Sequence, residues 1–510
     1  MESQDQQRVI AFLGSPAAWG NMAVRVDRIE THGALVFLSG NTTLKIRRAV
    51  RFSYMDFSTL DARRRFAERE LELNKPHAPD LYRRVVTITE QDDGTLALGG
   101  DGRVIEWAVE MARFAEADLL SAVVGSKGVD DRLARSLAEA VLAYHAAVPV
   151  RPDAPDRIPR LLQSVMTSLV SRGDAEIAAV ASRIGARGAS VLERTAGIRA
   201  QRRSAGFIRR CHGDLHLGNI VLWHGKPVPF DAIEFDEAIA TIDTLYDLAF
   251  LLMDLCRHGA YRAANIVLNH YLWRSGDTRD LAGLASMPLY LALRASIRAM
   301  VTLDRASVGV GDNAAQRTEA LSMLADAEGH LGQKRPMLLA IGGLSGTGKT
   351  TLARALAPAL WPTPGAVHLR SDLERKWLAG VAETVRLPSS AYTPEASRDA
   401  YARVMHRAET TLAAGHSVVV DAVFAKAEER ADVEALAIRA DASFKGVWLT
   451  GSPTTLRDRV AARRDDASDA TPDVVDKQLS YSLGPMTWSA INSDGGVQDV
   501  TMRARVVAGL

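Results

Sequence analysis

At 510 residues, with 47% apolar and 24% charged residues, the chain is too long for one ordinary core and too apolar to be disordered. Its 62 Lys and Arg against 61 Asp and Glu leave no overall field to draw in nucleic acid or an anionic membrane. Two cysteines, Cys211 and Cys256, exclude a disulfide framework, and the start shows no basic region followed by an apolar stretch, so a cytoplasmic protein is expected.

In chain order, GALVFLSGNTTLKIRRAV (33–50) reads as two strands around the turn Ser39-Gly40-Asn41. LDARRRFAERELELN (60–74) is rich in helix formers, and RRVVTITE (83–90) and VIEWAVEMARF (104–114) are strand-like. Together they predict a small mixed lobe. From about 116 the pattern is helical: Leu133, Leu137, Val141, Tyr144 and Val148 recur on one face of 131–148. A hairpin follows in IVLWHGKPVPFDAIEF, turning at His224-Gly225-Lys226, and the apolar run LYDLAFLLMDLC (245–256) is too short for a membrane span and reads as a buried helix. Further helices run to about 330.

The stretch GHLGQKRP (329–336) mixes glycine, charge and proline and marks a domain boundary, giving domains 1–330 and 336–510. Because this boundary is short and polar, the two halves are expected to work when separated. Beyond it, strands MLLAIGG (337–343), AVHLRSD (366–372), SVVVDAV (417–423) and FKGVWLT (444–450) alternate with helices, which predicts a parallel α/β sheet. The final 25 residues carry no motif.

Two stretches carry chemistry. In His212-Gly213-Asp214-Leu215-His216-Leu217-Gly218-Asn219, an aspartate on a tight turn can accept a hydroxyl proton. The amide of Asn219, five residues on, can ligate Mg²⁺ through its oxygen. The hairpin then returns Asp231 and Glu234. The alternation His212, Asp214, His216 also fits a transition-metal site on a strand, but Gly213 and Gly218 argue for a loop. His145 and His212 read as structural hydrogen-bonders.

The second stretch, Gly343-Leu344-Ser345-Gly346-Thr347-Gly348-Lys349-Thr350, follows a strand and opens a helix. Small residues there let backbone N–H groups curl around a phosphate; Lys349 then reaches its oxygens and Thr350 ligates Mg²⁺, with Thr351 in the first helical turn beside them. Asp421 closes the strand SVVVD, a place for a carboxylate in the Mg²⁺ shell, or is an ordinary strand-end aspartate. Asp372 lies at the carboxyl edge of the sheet, either as a base for a substrate hydroxyl or as a helix N-cap. Arg457, Arg459, Arg463 and Arg464 fall on one expected helix, either as a flap that stabilises a transferring phosphoryl group or as a solvated charged face.

On these residues, 30–330 resembles the aminoglycoside phosphotransferase and choline kinase family, whose HGD-x-x-x-x-N loop it reproduces. The resemblance implies an α+β, protein-kinase-like bilobal domain, with a small lobe at about 30–115 and a large lobe at about 116–330. It implies Lys45 as phosphate lysine, Glu70 as its helical partner, and DTLYDLAF (243–250) as the helix after the metal-binding strand end. Glu234 takes the metal position by pattern, with Asp231 as rival. The chain departs from the family in having no G-x-G-x-x-G in the first turn. Residues 336–485 resemble small P-loop kinases such as gluconate kinase, chloramphenicol phosphotransferase and zeta toxin. That resemblance implies Asp372 as base and Arg463 as flap arginine.

The sequence therefore predicts an ATP-dependent, Mg²⁺-requiring phosphotransferase, bifunctional, acting on hydroxyls of small metabolites. ATP is expected as donor because no signalling-GTPase base-reading motif is present. A nucleotide sensor with one inactive half is the rival reading. A nucleic-acid end kinase is a further one, opposed by the near-neutral charge.

Overall fold

The computed structural model describes residues 4–20, 25–31, 33–51, 56–307, 313–464 and 466–510. The chain forms two compact units, one of residues up to Ala154 with Ala205–Leu251, the other of Pro155–Ser204 with Leu252–Leu510. The division falls inside the helix Thr244–Arg257 and not at 329–336. Among the described residues no helix is long and apolar enough to cross a membrane.

In the first unit, strands β1 (Asp27–Glu30), β2 (Ala34–Ser39), β3 (Thr42–Arg47), β4 (Tyr82–Glu90), β5 (Leu96–Leu98) and β6 (Arg103–Ala112) form an antiparallel sheet in the order β1-β2-β3-β6-β4-β5. The expected β2–β3 hairpin is present, with Gly40 at φ 53° in its turn. A helix at Gln4–Leu13, which no sequence signal announced, sends Val9 and Leu13 into the core with Leu35, Phe37, Ile46 and Ile105.

The helix Leu60–Asn74 matches its expected bounds, and Thr59 caps it by accepting from Ala62 N at 3.1 Å. Its buried residues include Arg63, Ala67, Glu70 and Asn74, a helical stripe that is largely polar. Hydrophobic patterning alone could not reveal that face; each polar group on it has a dedicated partner. Arg63 Nε donates to Glu106 Oε1 at 2.8 Å, and Asn74 Oδ1 accepts from Ala232 N at 2.9 Å.

The same unit holds β7 (Ile208–Arg210), β8 (Ile220–Trp223), β9 (Lys226–Pro229) and β10 (Thr241–Asp243), paired as β7–β10 and β8–β9. His224 and Gly225, both at positive φ, make the two-residue turn of β8–β9, whose twist suits a tight hairpin. On the helix Asp131–Ala147, Leu137, Val141 and Tyr144 are buried as the 3.6-residue spacing predicts.

The second unit is built on β11 (Met337–Gly343), β12 (Val367–Arg370), β13 (Val418–Asp421), β14 (Ser443–Thr450) and β15 (Ser489–Asn492), all parallel, in the order β12-β13-β11-β14-β15. Leu338–Ile341 are fully buried because β11 is central and covered on both faces. The last 25 residues supply β15 and the helix Val497–Ala508, so the stretch without a motif closes the sheet. The strand expected to run to residue 372 stops at Arg370, where a helix Ser371–Leu378 begins. The expected arginine helix ends at Ala461, leaving Arg463 and Arg464 beyond it.

Residues 336–510 do not form a unit by themselves. They share theirs with the helices Tyr261–Ser275, Met287–Ser307 and Asn313–His330, which sequence patterning assigned to the preceding half.

Candidate functional site

The first candidate site is assembled from four separated segments of the first unit. The loop after β7 is fixed by Asp247, fully buried on the following helix: its Oδ2 accepts from His212 N at 3.1 Å and its Oδ1 from Gly213 N at 2.9 Å. His145 Nε2 lies 3.2 Å from Asp247 Oδ2. Gly213 needs to be glycine, since its φ is 85° and a Cβ would meet Ala240 and Ile233 at 3.1 Å.

His212 is engaged at both ring nitrogens. Its Nδ1 accepts from Asp214 N at 3.3 Å, so Nε2 carries the hydrogen donated to Phe230 O at 2.9 Å. Burial holds its pKa down, which keeps the ring neutral, and neither nitrogen is left to ligate a metal. The His/Asp/His reading therefore does not fit this loop. Among the described residues, the one cluster of His, Cys and carboxylate atoms at metal-like spacing is His145, Cys211 and Asp247, and there the carboxylate already holds the loop.

Asn219 Nδ2 donates to Asp214 O and to Asp214 Oδ2, each at 2.9 Å, leaving the amide oxygen as the atom suited to a cation. The Asp214 side chain is 40% exposed, open enough to meet a substrate hydroxyl. Lys45 on β3 places Nζ 2.9 Å from Glu70 Oε1 and 2.5 Å from Asp231 Oδ1. Burial, seconded by Arg47, would lower the Lys45 pKa, but Asp231, Glu70 and Glu234 outweigh both and raise it. The lysine is a fixed cation.

Arg47, two residues along the same face of β3, is the functional neighbour that sequence reasoning missed; its only signal was the period-two spacing from Lys45. It pairs with Glu70 Oε2 and Glu234 Oε1, both at 2.5 Å. Glu234 is 3% exposed and pushed up to about 7 by burial, with Arg47 opposing. Asp231 is 36% exposed, sits at φ 62°, and donates its backbone N–H to Tyr82 Oη at 3.1 Å. Burial would raise its pKa, but Lys45 and Arg47 hold it below the usual carboxylate value.

The second candidate site lies at the carboxyl ends of β11, β12 and β13. The glycine loop runs from β11 into the helix Lys349–Leu356, with Gly346 at φ 90° and Gly348 at φ 87°. A Cβ on Gly346 would meet Leu456 O at 2.5 Å, so the loop tolerates no side chain there. Ser345 N donates to Gln478 Oε1 at 2.7 Å, and Thr347 Oγ1 donates to Leu344 O at 2.8 Å. Lys349 Nζ donates to Leu344 O at 3.1 Å. Its pKa is lowered by burial, against Asp421 and Asp372, with Arg463 and Arg370 acting with the burial. Arg463 is thus within electrostatic reach of the loop lysine, and its Nε lies 3.8 Å from Asp466 Oδ2.

Thr350 Oγ1 donates to Asp421 Oδ2 at 2.5 Å, joining the two predicted Mg²⁺ ligands. Burial would raise the Asp421 pKa, but the hydrogen bond and charge of His368, with Lys349 and Arg370, hold it well below the usual range. Asp372 occupies the first turn of its helix and is not its N-cap, which is Arg370. Burial raises its pKa, opposed by Arg370. Arg370, also unforeseen, is 4% exposed; its Nη2 donates to Asp466 Oδ1 at 3.0 Å and its Nε lies 3.8 Å from Asp421 Oδ2. Thr351 lines a cavity of about 140 Å³ with Thr347, Gly348, Arg459 and Ser493.

Three curated mycobacterial relatives, all uncharacterized proteins, among them one of Mycobacterium tuberculosis and one of Mycobacterium bovis, are 29% identical over 476 residues, covering 88% of this chain and 88% of theirs. Among solved structures, a choline/ethanolamine kinase family protein from Mesorhizobium loti is similar over 64% of this chain and 95% of its own, at 16% identity and TM-score 0.38. A gluconokinase from Sinorhizobium meliloti 1021 is similar over 35% of this chain and 97% of its own, at 20% identity and TM-score 0.25. The chain thus carries a match to the phosphotransferase enzyme family over residues 94–284, followed by a P-loop segment that matches the AAA domain family over residues 338–483.

Proposed function

We propose that the protein is an ATP-dependent phosphotransferase with two sites, each moving a γ-phosphoryl group to a hydroxyl of a small metabolite such as a sugar, amino sugar or related alcohol. The observation that carries this reading is Lys45, whose Nζ reaches both Glu70 and Asp231, linking the small sheet to the hairpin that follows the Asp214 loop. A lysine oriented by a helical glutamate beside a metal-binding carboxylate is a plan suited to phosphoryl transfer.

In the first site Asp214 accepts the acceptor's proton. Asn219 and Asp231 would hold Mg²⁺; their oxygen donors suit a hard cation. Asp231 is favoured over Glu234, the reverse of the preference by pattern, because Glu234 is buried against Arg47 while Asp231 is the more exposed and borders Lys45. In the second site Thr350 and Asp421 would hold the cation. Gly343, Ser345, Gly346, Thr347, Gly348 and Lys349 line the phosphate cradle, and the cavity beside Thr351 takes the nucleoside. Asp372, its carboxyl pushed up by burial, receives the proton of the second acceptor, and Arg463 faces the transferring group. Bound Mg·ATP supplies the phosphoryl group and neutralises the charge that develops on it.

The test is to incubate the full chain with Mg·ATP and a metabolite pool and to read new phosphorylated masses. Two products are expected, one removed by Asp214→Asn and the other by Asp372→Asn. A pool left unphosphorylated while ATP binds would contradict the reading.

A further inference from the structure

The P-loop sheet ends at β12, and an edge strand leaves one row of backbone donors and acceptors without a strand partner. Val367 N donates inward to Ser417 O at 2.9 Å, so the alternate groups, Ala366 C=O and His368 N–H, face the open edge. Side chains of the helix Tyr261–Ser275 meet both. His368 N donates to Asn269 Oδ1 at 2.6 Å; Ala366 O accepts from Asn269 Nδ2 at 3.1 Å and from Asn265 Nδ2 at 3.0 Å. The Asn269 carboxamide offers the edge one acceptor and one donor, as a residue of a sixth strand would.

The helix after β12 is held from the same side. Trp273 Nε1 donates to Leu373 O at 3.4 Å, and Arg407, whose Nη2 donates to Leu272 O at 3.2 Å, places its Nε 3.2 Å from Glu374 Oε1 on that helix. Trp377 lies so close to Gly276 that a Cβ there would meet the indole nitrogen at 2.2 Å. β12 and this helix carry His368, Arg370 and Asp372, the acceptor side of the P-loop site. The phosphate loop itself grows from β11, with β13 between.

We propose that Asn269 is a positioning residue for phosphoryl transfer at the P-loop site, fixing β12, and through it Asp372, in register with the phosphate loop. The inference rests on the reading of the glycine loop as a phosphoryl-transfer site. It gives a reason for the two halves to share one chain: a helix counted with the first half completes the edge of the second.

The experiment uses the full chain with Asp214→Asn and Lys45→Met, which silence turnover and nucleotide binding at the first site. Three quantities are read: Mg·ADP affinity by calorimetry, the ATP hydrolysis rate that Lys349→Ala abolishes, and amide hydrogen exchange over 366–372. Asn269→Ala should speed exchange at His368 by about tenfold or more, because the N–H loses its acceptor. It should slow hydrolysis by about 10- to 100-fold, since small displacements of reacting groups are costly. Mg·ADP affinity should stay within about twofold, because the phosphate cradle is untouched. Asn269→Asp keeps the acceptor for His368 and loses the donor to Ala366; it should slow hydrolysis by about three- to tenfold at the same affinity, and it decides the question if the alanine variant does not fold. An unchanged hydrolysis rate in either variant, or a nucleotide affinity that falls in step with the rate, would overturn the proposal. A parent chain with no Lys349-dependent Mg·ADP binding would instead show that the P-loop reading has failed, and the proposal with it.

Discussion

In the proposed reading the two candidate sites meet the same requirement, a fixed positive environment for phosphate beside a base and a metal-binding carboxylate, with different parts. The first uses side chains: Lys45 and Arg47 from β3, set against Glu70, Asp231 and Glu234 from a helix and a hairpin. The second uses backbone: a contiguous loop with two glycines at φ near 90°, aimed by a helix, with Lys349 the lysine at the loop. A side-chain site depends on carboxylates that hold its cations in place, whereas a backbone cradle keeps its donors whatever the neighbouring charges. The first should therefore respond to changes in many residues and to pH, and the second to changes in few.

The largest effect is expected at the cradle. Lys349→Ala in the full chain should weaken nucleotide binding at the P-loop site by about 100-fold or more, because a charge-assisted contact to phosphate is lost. Binding at the first site should not change; calorimetry with a non-hydrolysable ATP analogue reads both. Next, Asp214→Asn should cut first-site turnover by about 10²- to 10⁴-fold, the usual range for a general base, while nucleotide affinity stays within a few-fold.

A smaller effect separates the two carboxylates of the hairpin. Asp231→Asn should lower first-site turnover by about 10- to 100-fold and raise the Mg²⁺ concentration it requires, as loss of a charged ligand would. Glu234→Gln should leave turnover within about threefold, since it removes a partner of Arg47 and not a ligand. The opposite ranking would restore the preference by pattern.

The smallest effect is on stability. Glu234 has a carboxyl pushed up to about 7 from an ordinary 4.5. Such a group favours the folded state while protonated, so its contribution is complete below about 4.5 and lost as pH rises to about 7. Urea unfolding at pH 5 and pH 7.5 should show the parent losing more stability across that window than Glu234→Gln. An equal loss in both would mean that the burial of Glu234 does not govern its titration.

How much of this was legible in the sequence follows the same contrast. The glycine loop and the Asp214–Asn219 loop are contiguous, so spacing alone marked them, and the helix at 60–74 and strand β11 matched their expected bounds. What lay hidden is what distant segments bring together. Arg47 drew no reading, because nothing local shows that Glu70 and Glu234 converge on it. Arg370 drew no reading, because its carboxylates at 421 and 466 lie far along the chain. The helix Gln4–Leu13 and the closing strand β15 are short elements whose stability comes from tertiary packing, which local pattern does not reveal. The boundary at 329–336 was a sound reading of composition, but Asn265 and Asn269 make their bonds through polar side chains that no hydrophobic periodicity would flag.

If one chain holds two separate nucleotide sites, binding stoichiometry reads them most directly. Titrating the full chain with a non-hydrolysable Mg·ATP analogue should give two sites per chain. Lys349→Ala and Lys45→Met should each leave one, and the double variant none. A parent stoichiometry of one, or loss of both sites in either single variant, would contradict the account.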